Sequence, residues 1–249
     1  PFGQAGEKFL SKCLQSRTGR RFHHNVHSVR VRDRLYPRNI SLQVLDGALC
    51  HNGEFAQQVL HQGDTESFAQ LDALVEECAL DESAIKRLRP SPLEGCVVRL
   101  ADMIAYLGKD RDDAIAMGVL PSLDGFETEI IGRDNARIIN NITVDVVNHS
   151  FGQDDIRMSQ EVFEDVKRAK QQNYERIYDC EGWRAGSGNA VGEMFEDMYD
   201  RLLTDVTTGD ERSPVVLHHA KHLAAKSRSI TVEGYLAHTD PDQVVMDYM

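Results

Sequence analysis

No apolar run approaches the ~20 residues that a membrane-spanning helix needs, which excludes a helical span. Five cysteines occur, at Cys13, Cys50, Cys78, Cys96 and Cys180, and none forms a C-x-x-C pair. An odd, unpaired set excludes a disulfide framework and a structural zinc knuckle, and fits a reducing cytoplasm. Positive charge is scarce: 28 Lys and Arg stand against 40 Asp and Glu, a formal net charge of −12. A broad basic face for nucleic acid is therefore not expected, and nothing indicates single-stranded nucleic acid, although that partner stays open. A small anionic substrate is still compatible, because a local cluster or a metal can dominate one pocket. Few segments alternate apolar and polar residues over more than four positions, and there is no internal repeat, low-complexity tract or clear linker.

What remains is helical periodicity in a chain of 249 residues, 41% hydrophobic and 27% charged, enough to bury a substantial core. The pattern predicts helices over 22–36, 41–51 (capped by Ser41 or Asn39), 93–117, 134–150 and 159–178. Two more are predicted near 190–206 and 213–225, and one over 233–249. Residues 54–75 read as polar and partly loop, and 181–189 as loop. Gly118 ends the long central helix and Pro121 prevents its return. The chain opens at Pro1 with polar and apolar residues at once mixed, which reads as an incomplete start. One all-α domain over 1–249 is the simplest organisation, with a core over 1–180 and a helical extension over 181–249.

Three clusters could do chemistry. Asp102, Tyr106 and Asp110 are spaced four apart, so successive members drift only ~40° around a helix and share one face, with Lys109 beside them. A carboxylate there can bind a divalent metal, a phenol can stack on a ligand, and a second carboxylate can accept from sugar hydroxyls. The same spacing also describes an ordinary solvent-facing polar stripe. His23, His24 and His27 place three imidazoles within five residues. They can bind metal, donate to phosphate or protonate a leaving group, or be plain half-buried histidines near a helix start. Gly3-Gln4-Ala5-Gly6-Glu7 is a glycine-rich entry into a helix, where Glu7 could orient a water but reads first as a cap. Elsewhere, His218 and His222 have H-x-x-x-H spacing without the glutamate of a zinc protease, and read as a surface helix. His51, with Gly53 as the cap, looks like a helix C-terminus. Arg176 could face a phosphate, but a solvated face is the plainer reading.

Together these segments resemble one family. Pro1-Phe2-Gly3-Gln4-Ala5-Gly6-Glu7 is similar to the P-F-G-H-x-G-E segment of dGTP triphosphohydrolase-like HD enzymes, which there follows the H-D doublet. Phe22-His23-His24-Asn25-Val26-His27-Ser28 resembles the family's F-[EH]-[GH]-N-[AV]-Q-S. Ala101-Asp102-Met103-Ile104-Ala105-Tyr106 resembles its A-D-x-I-A-Y, and Tyr235 to Asp240 is faintly similar to its C-terminal D-Y-I-A-x-M-T-D. The matches run in order from Pro1 to about Tyr178 and are looser beyond.

The resemblance implies an HD-domain helical bundle and a divalent metal cofactor (magnesium, manganese or another transition metal) with Asp102 as its last protein ligand. It implies that His23, His24 and Asn25 contact phosphate or leaving group, that Lys109 lies at the substrate, and that Tyr106 and Asp110 hold the sugar. Glu7 would work with an active-site histidine on the attacking water. The implied reaction gives deoxynucleoside plus triphosphate, with dGTP as one possible substrate, an allosteric dNTP as a further partner, and a cytoplasmic homo-oligomer as the assembly. Two departures stand out. The upstream His and the H-D doublet are not in this sequence, and Gln4 occupies the place of the family's catalytic His. Glutamine hydrogen-bonds but does not exchange a proton near neutral pH. His24 or His27 would have to substitute, or the protein would bind nucleotide as a regulatory module without hydrolysis, or act on another phosphate ester.

Overall fold

Short side chains that satisfy orphaned N–H groups set many of the helix starts. The computed structural model describes residues 3–52, 57–179, 188–227 and 229–249, and the side chains of all of these except residues 4, 5, 188 and 189. The expected Gly53 cap and most of the expected 181–189 loop therefore lie outside the described residues. Helices dominate. In chain order they are α1 (Gly3–Thr18), α2 (His24–Arg30), α3 (Leu42–Cys50), α4 (Phe68–Leu80), α5 (Glu82–Arg87), α6 (Leu93–Ala116) and α7 (Asn135–Ser150). They continue as α8 (Gln160–Asn173), α9 (Gly188–Thr208), α10 (Lys221–Lys226), α11 (Val232–His238) and α12 (Pro241–Tyr248). Asp134, Ser159, Thr231 and Asp240 each accept a backbone N–H at the start of α7, α8, α11 and α12. Three π-helical turns, Val31–Leu35, Tyr174–Tyr178 and Val215–Ala220, extend α2, extend α8 and lead into α10. One small antiparallel pair, β1 (Val59–Leu60) with β2 (Ile156–Arg157), sets Val59 opposite Arg157.

One expectation needs correction. The tail over 233–249 is two helices, because Asp240 takes the N-cap and Pro241 the first position of a new one. Among the described residues of 54–75, positions 61–67 run without helix or strand between β1 and α4, in line with the partly loop-like reading.

The chain divides into two compact units. The first comprises Pro1–Leu45, Phe68–Ala84 and Gly188–Met249. Its core joins Leu10, Leu14 and Phe22 to Phe195, Tyr199, Leu202, Val215, Leu223, Val244 and Val245. Each such large apolar side chain contributes about 1.5–3 kcal/mol by leaving water. Phe9 stacks on Phe195 at 5.8 Å between centroids, and a Cβ at Gly192 would come within 2.8 Å of the Phe9 ring. Cys13 and Cys78 are buried here.

The second unit comprises Asp46–Ser67 and Ile85–Ser187. Its axis is α6, whose Cys96, Leu100, Ile104 and Leu107 pack with Ile138 and Ile142 of α7 and with Val162 and Val166 of α8. The α6–α7 crossing is close because Gly108 has no side chain: a Cβ there would lie 2.5 Å from the Asn135 Cα. Buried Arg99 donates to the carbonyls of Leu88 (2.6 Å) and Cys50 (3.3 Å). Cys50 and Cys96 are buried in this unit. Gly118, at φ +73°, follows the end of α6, in a conformation that favours glycine.

Candidate active site

In the first unit, Glu7 lies one turn into α1 and does not cap its own helix. Its carboxylate reaches the start of α2. There it accepts the backbone N–H of His24 at 3.1 Å and meets the His24 Nδ1 at 3.1 and 3.0 Å through its two oxygens. Burial opposes the Glu7 charge, but the hydrogen bonds and positive character of His24 outweigh it and hold the carboxyl below the usual range. With a carboxylate on Nδ1, that nitrogen carries a proton, and Nε2 is the atom His24 presents elsewhere. The His24 side chain keeps 41% exposure.

His23 immediately precedes α2 in extended conformation, with Nδ1 at 3.9 Å from Glu7. Its Nε2 is buried without a hydrogen-bond partner, and burial lowers its basicity. Asn25 is fully buried. His27 turns away from Glu7. It packs on the Phe22 ring and lies 4.0 Å from Asp247, whose carboxylate accepts two hydrogen bonds from Arg30 at 2.7 Å each. The backbone of Gln4 belongs to α1, while its side chain, like Pro1 and Phe2, lies outside the described set.

In the second unit, Asp102, Tyr106 and Asp110 follow one another along α6 as their spacing requires. Asp102 is half-buried and enters no ion pair among the described residues. Tyr106 is 61% exposed. Asp110 accepts from the Tyr178 hydroxyl at 2.6 Å, and burial pushes its carboxyl up. Tyr178, at the end of the π turn after α8, is a partner the sequence reading missed. Its only signal was an aromatic closing a helical stretch. Lys109 is exposed and pairs with Asp113 at 2.5 Å.

Among the described residues no three His, Cys, Asp or Glu groups converge as a metal site requires. Asp102 is one donor, and the described residues do not complete a set around it. His218 and His222 are exposed, as their helix reading implied. His51 donates to the Ala48 carbonyl at 2.7 Å at the end of α3. Arg176 is not on a solvated face: its guanidinium packs 4.4 Å from the Phe126 ring. No helix among the described residues is long and apolar enough to cross a membrane.

No family model matches the chain, and no solved structure matches it. Curated relatives do match, under the name deoxyguanosinetriphosphate triphosphohydrolase-like protein. The one from Caldanaerobacter subterraneus subsp. tengcongensis is 29% identical over 211 residues, covering 81% of this chain and 51% of that protein. The one from Clostridium tetani is 26% identical over 188 residues, covering 71% of this chain and 45% of that protein. The one from Desulfatibacillum aliphaticivorans is 30% identical over 165 residues, covering 64% of this chain and 39% of that protein. The chain spans about half the length of the curated relatives it matches, or less. Over these stretches, and on an all-α architecture, the chain is similar to proteins named deoxyguanosinetriphosphate triphosphohydrolase-like.

Proposed function

We propose that the chain carries part of the site of a metal-dependent hydrolase that converts deoxynucleoside triphosphates to deoxynucleoside and triphosphate. The observation that most supports this reading is the Glu7–His24 pair. An anionic Glu7 on Nδ1 fixes the imidazole's orientation and tautomer and stabilises its protonated form. Nε2 is then the atom that donates to a phosphate oxygen or to the departing 5′ oxygen. Gln4 cannot supply that proton, so the role passes to His24. Asp102 is read as the metal ligand, and Tyr106 and Asp110 as the sugar-holding face. Tyr178 keeps the Asp110 carboxylate hydrogen-bonded in the absence of ligand.

The test is triphosphate release by the full-length protein from a panel of dNTPs with magnesium or manganese. His24→Gln is expected to lower kcat about 10²–10⁴-fold, the range for removal of a general acid, with a smaller effect on KM. Asp102→Ala is expected to abolish turnover and bound metal together. Full activity in either variant sinks that residue's assignment. Gln4 favours a second reading, a nucleotide-binding regulatory module. Saturable dNTP binding with no triphosphate released in any metal would put that reading first. Phosphate released only from other esters would instead redirect the substrate class.

A further inference from the structure

One cluster in the second unit has no part in the reading above. Arg111, on the buried side of α6, is fully buried and stands 4.1 Å over the Phe126 ring. Its Nε donates to the Asn173 side-chain oxygen at 2.8 Å and its Nη1 to the Arg133 carbonyl at 3.0 Å. Arg176, from the π turn after α8, packs on the same ring, and its Nη2 donates to the Asp124 carbonyl at 2.9 Å. Both guanidiniums are left with one buried nitrogen, Arg111 Nη2 and Arg176 Nη1, that has no hydrogen-bond partner.

All the acceptors these two cations have are neutral. Among the described residues no carboxylate forms an ion pair with either. Asp165 acts on Arg111 only from a distance. Its oxygens are taken by the N–H groups of Ile130 and Ile131, at 2.9 Å each, and by Arg168 at 3.1 Å. Burial and the nearby charge of Arg176 push the Arg111 guanidinium down to about 10. Two unneutralised guanidiniums around one buried ring are costly. An uncompensated buried charge costs more than the quadrupole of one ring returns. Unused buried donors of one sign, brought by two elements to one ring, are the arrangement that an anion completes. Gly125 keeps the approach narrow: it lies at φ +83°, and a Cβ there would sit 2.9 Å from Arg176 Nη1.

We infer that Arg111 and Arg176, both packed on Phe126, form a binding site for a small oxyanion of the phosphate class, held by the two unused Nη groups. The site uses none of Asp102, Tyr106 and Glu7 and does not depend on the proposed hydrolysis. The phosphate is either free or the terminal group of a phosphate ester. In either case, filling it would brace the π turn that carries both Arg176 and Tyr178.

The experiment follows the thermal midpoint and calorimetric binding of the purified chain with inorganic phosphate, with sodium chloride at equal ionic strength as control. The wild type is expected to show saturable stabilisation by phosphate beyond that by chloride. Arg176→Gln, which keeps a donor for the Asp124 carbonyl and removes the charge, is expected to weaken phosphate binding about tenfold or more. Asp102→Ala and Glu7→Gln are expected to leave that binding in place, which separates it from the candidate active site. A deoxynucleoside monophosphate titrated in parallel identifies the source. Tighter binding than inorganic phosphate, lost in Arg176→Gln, means an ester, and equal or weaker binding means the free anion. No saturable phosphate effect in the wild type overturns the site. So does equal stabilisation by chloride, or undiminished binding in a folded Arg176→Gln.

Discussion

Asp247 has no exposed side-chain surface, and its carboxylate accepts four hydrogen bonds: two from Arg30, one from the Tyr235 hydroxyl at 2.8 Å and one from the Gln243 amide at 2.9 Å. Tyr235 in turn meets His219 Nε2 at 3.0 Å. This carboxylate ties α2 to α11 and α12. Removing it strands the Arg30 charge, so Asp247→Ala is expected to cost about 3–5 kcal/mol. Urea unfolding followed by circular dichroism measures that loss, and a change below about 1 kcal/mol would show that the pair is dispensable. Nothing in the sequence marked Asp247, because its donors come from residues 4 to 217 positions away. Glu7 was marked in the sequence, but its local role was not. It was expected to cap its own helix, and its carboxylate instead accepts the first N–H of another, which no spacing rule can foresee.

At the level of elements, the closest approach is also the most breakable. Gly108→Ala would drive a methyl into the Asn135 backbone at 2.5 Å, on a helix pair that packs along much of its length. The expected cost is about 1–3 kcal/mol, read from the denaturation midpoint, although alanine is the better helix former. The α2 region makes a different prediction. Burial lowers the basicity of His23 and His27 on this segment, and of His219 against it, below the ordinary imidazole value of 6.5. A histidine kept neutral in the fold but free to protonate when unfolded withholds stability on the acid side. The contribution is complete above pH 6.5 and falls as the pH drops from there toward the folded-state values. Thermal midpoints between about pH 8 and about pH 5.5 should decline, and His219→Gln should make the decline shallower. An unchanged slope in that variant would remove His219 from the account. The π turns were invisible in the sequence. One residue inserted into a helical ladder leaves the apolar period nearly intact, so 22–36 and 159–178 each read as a single helix.

For the molecule as a whole, the sequence was informative where periodicity is strong and local, and poor where partners are distant. The long central helix was legible because Leu100, Ile104, Leu107 and Ala114 recur at helical spacing and Gly118 sits just beyond its end. Tyr178 on Asp110 and Arg176 on Phe126 were not legible, since both join residues about fifty or more positions apart. Nor did any pattern along the chain announce two hydrophobic clusters in separate units. Their cysteines give those units a use at the bench. Cys13 and Cys78 are buried in the first, Cys50 and Cys96 in the second. A thiol shut inside a folded unit meets an alkylating reagent only when that unit opens, so its labelling rate reports the free energy of opening. With Cys180 replaced by serine, mass spectrometry of timed alkylation would give each half of the protein its own clock, without adding a probe.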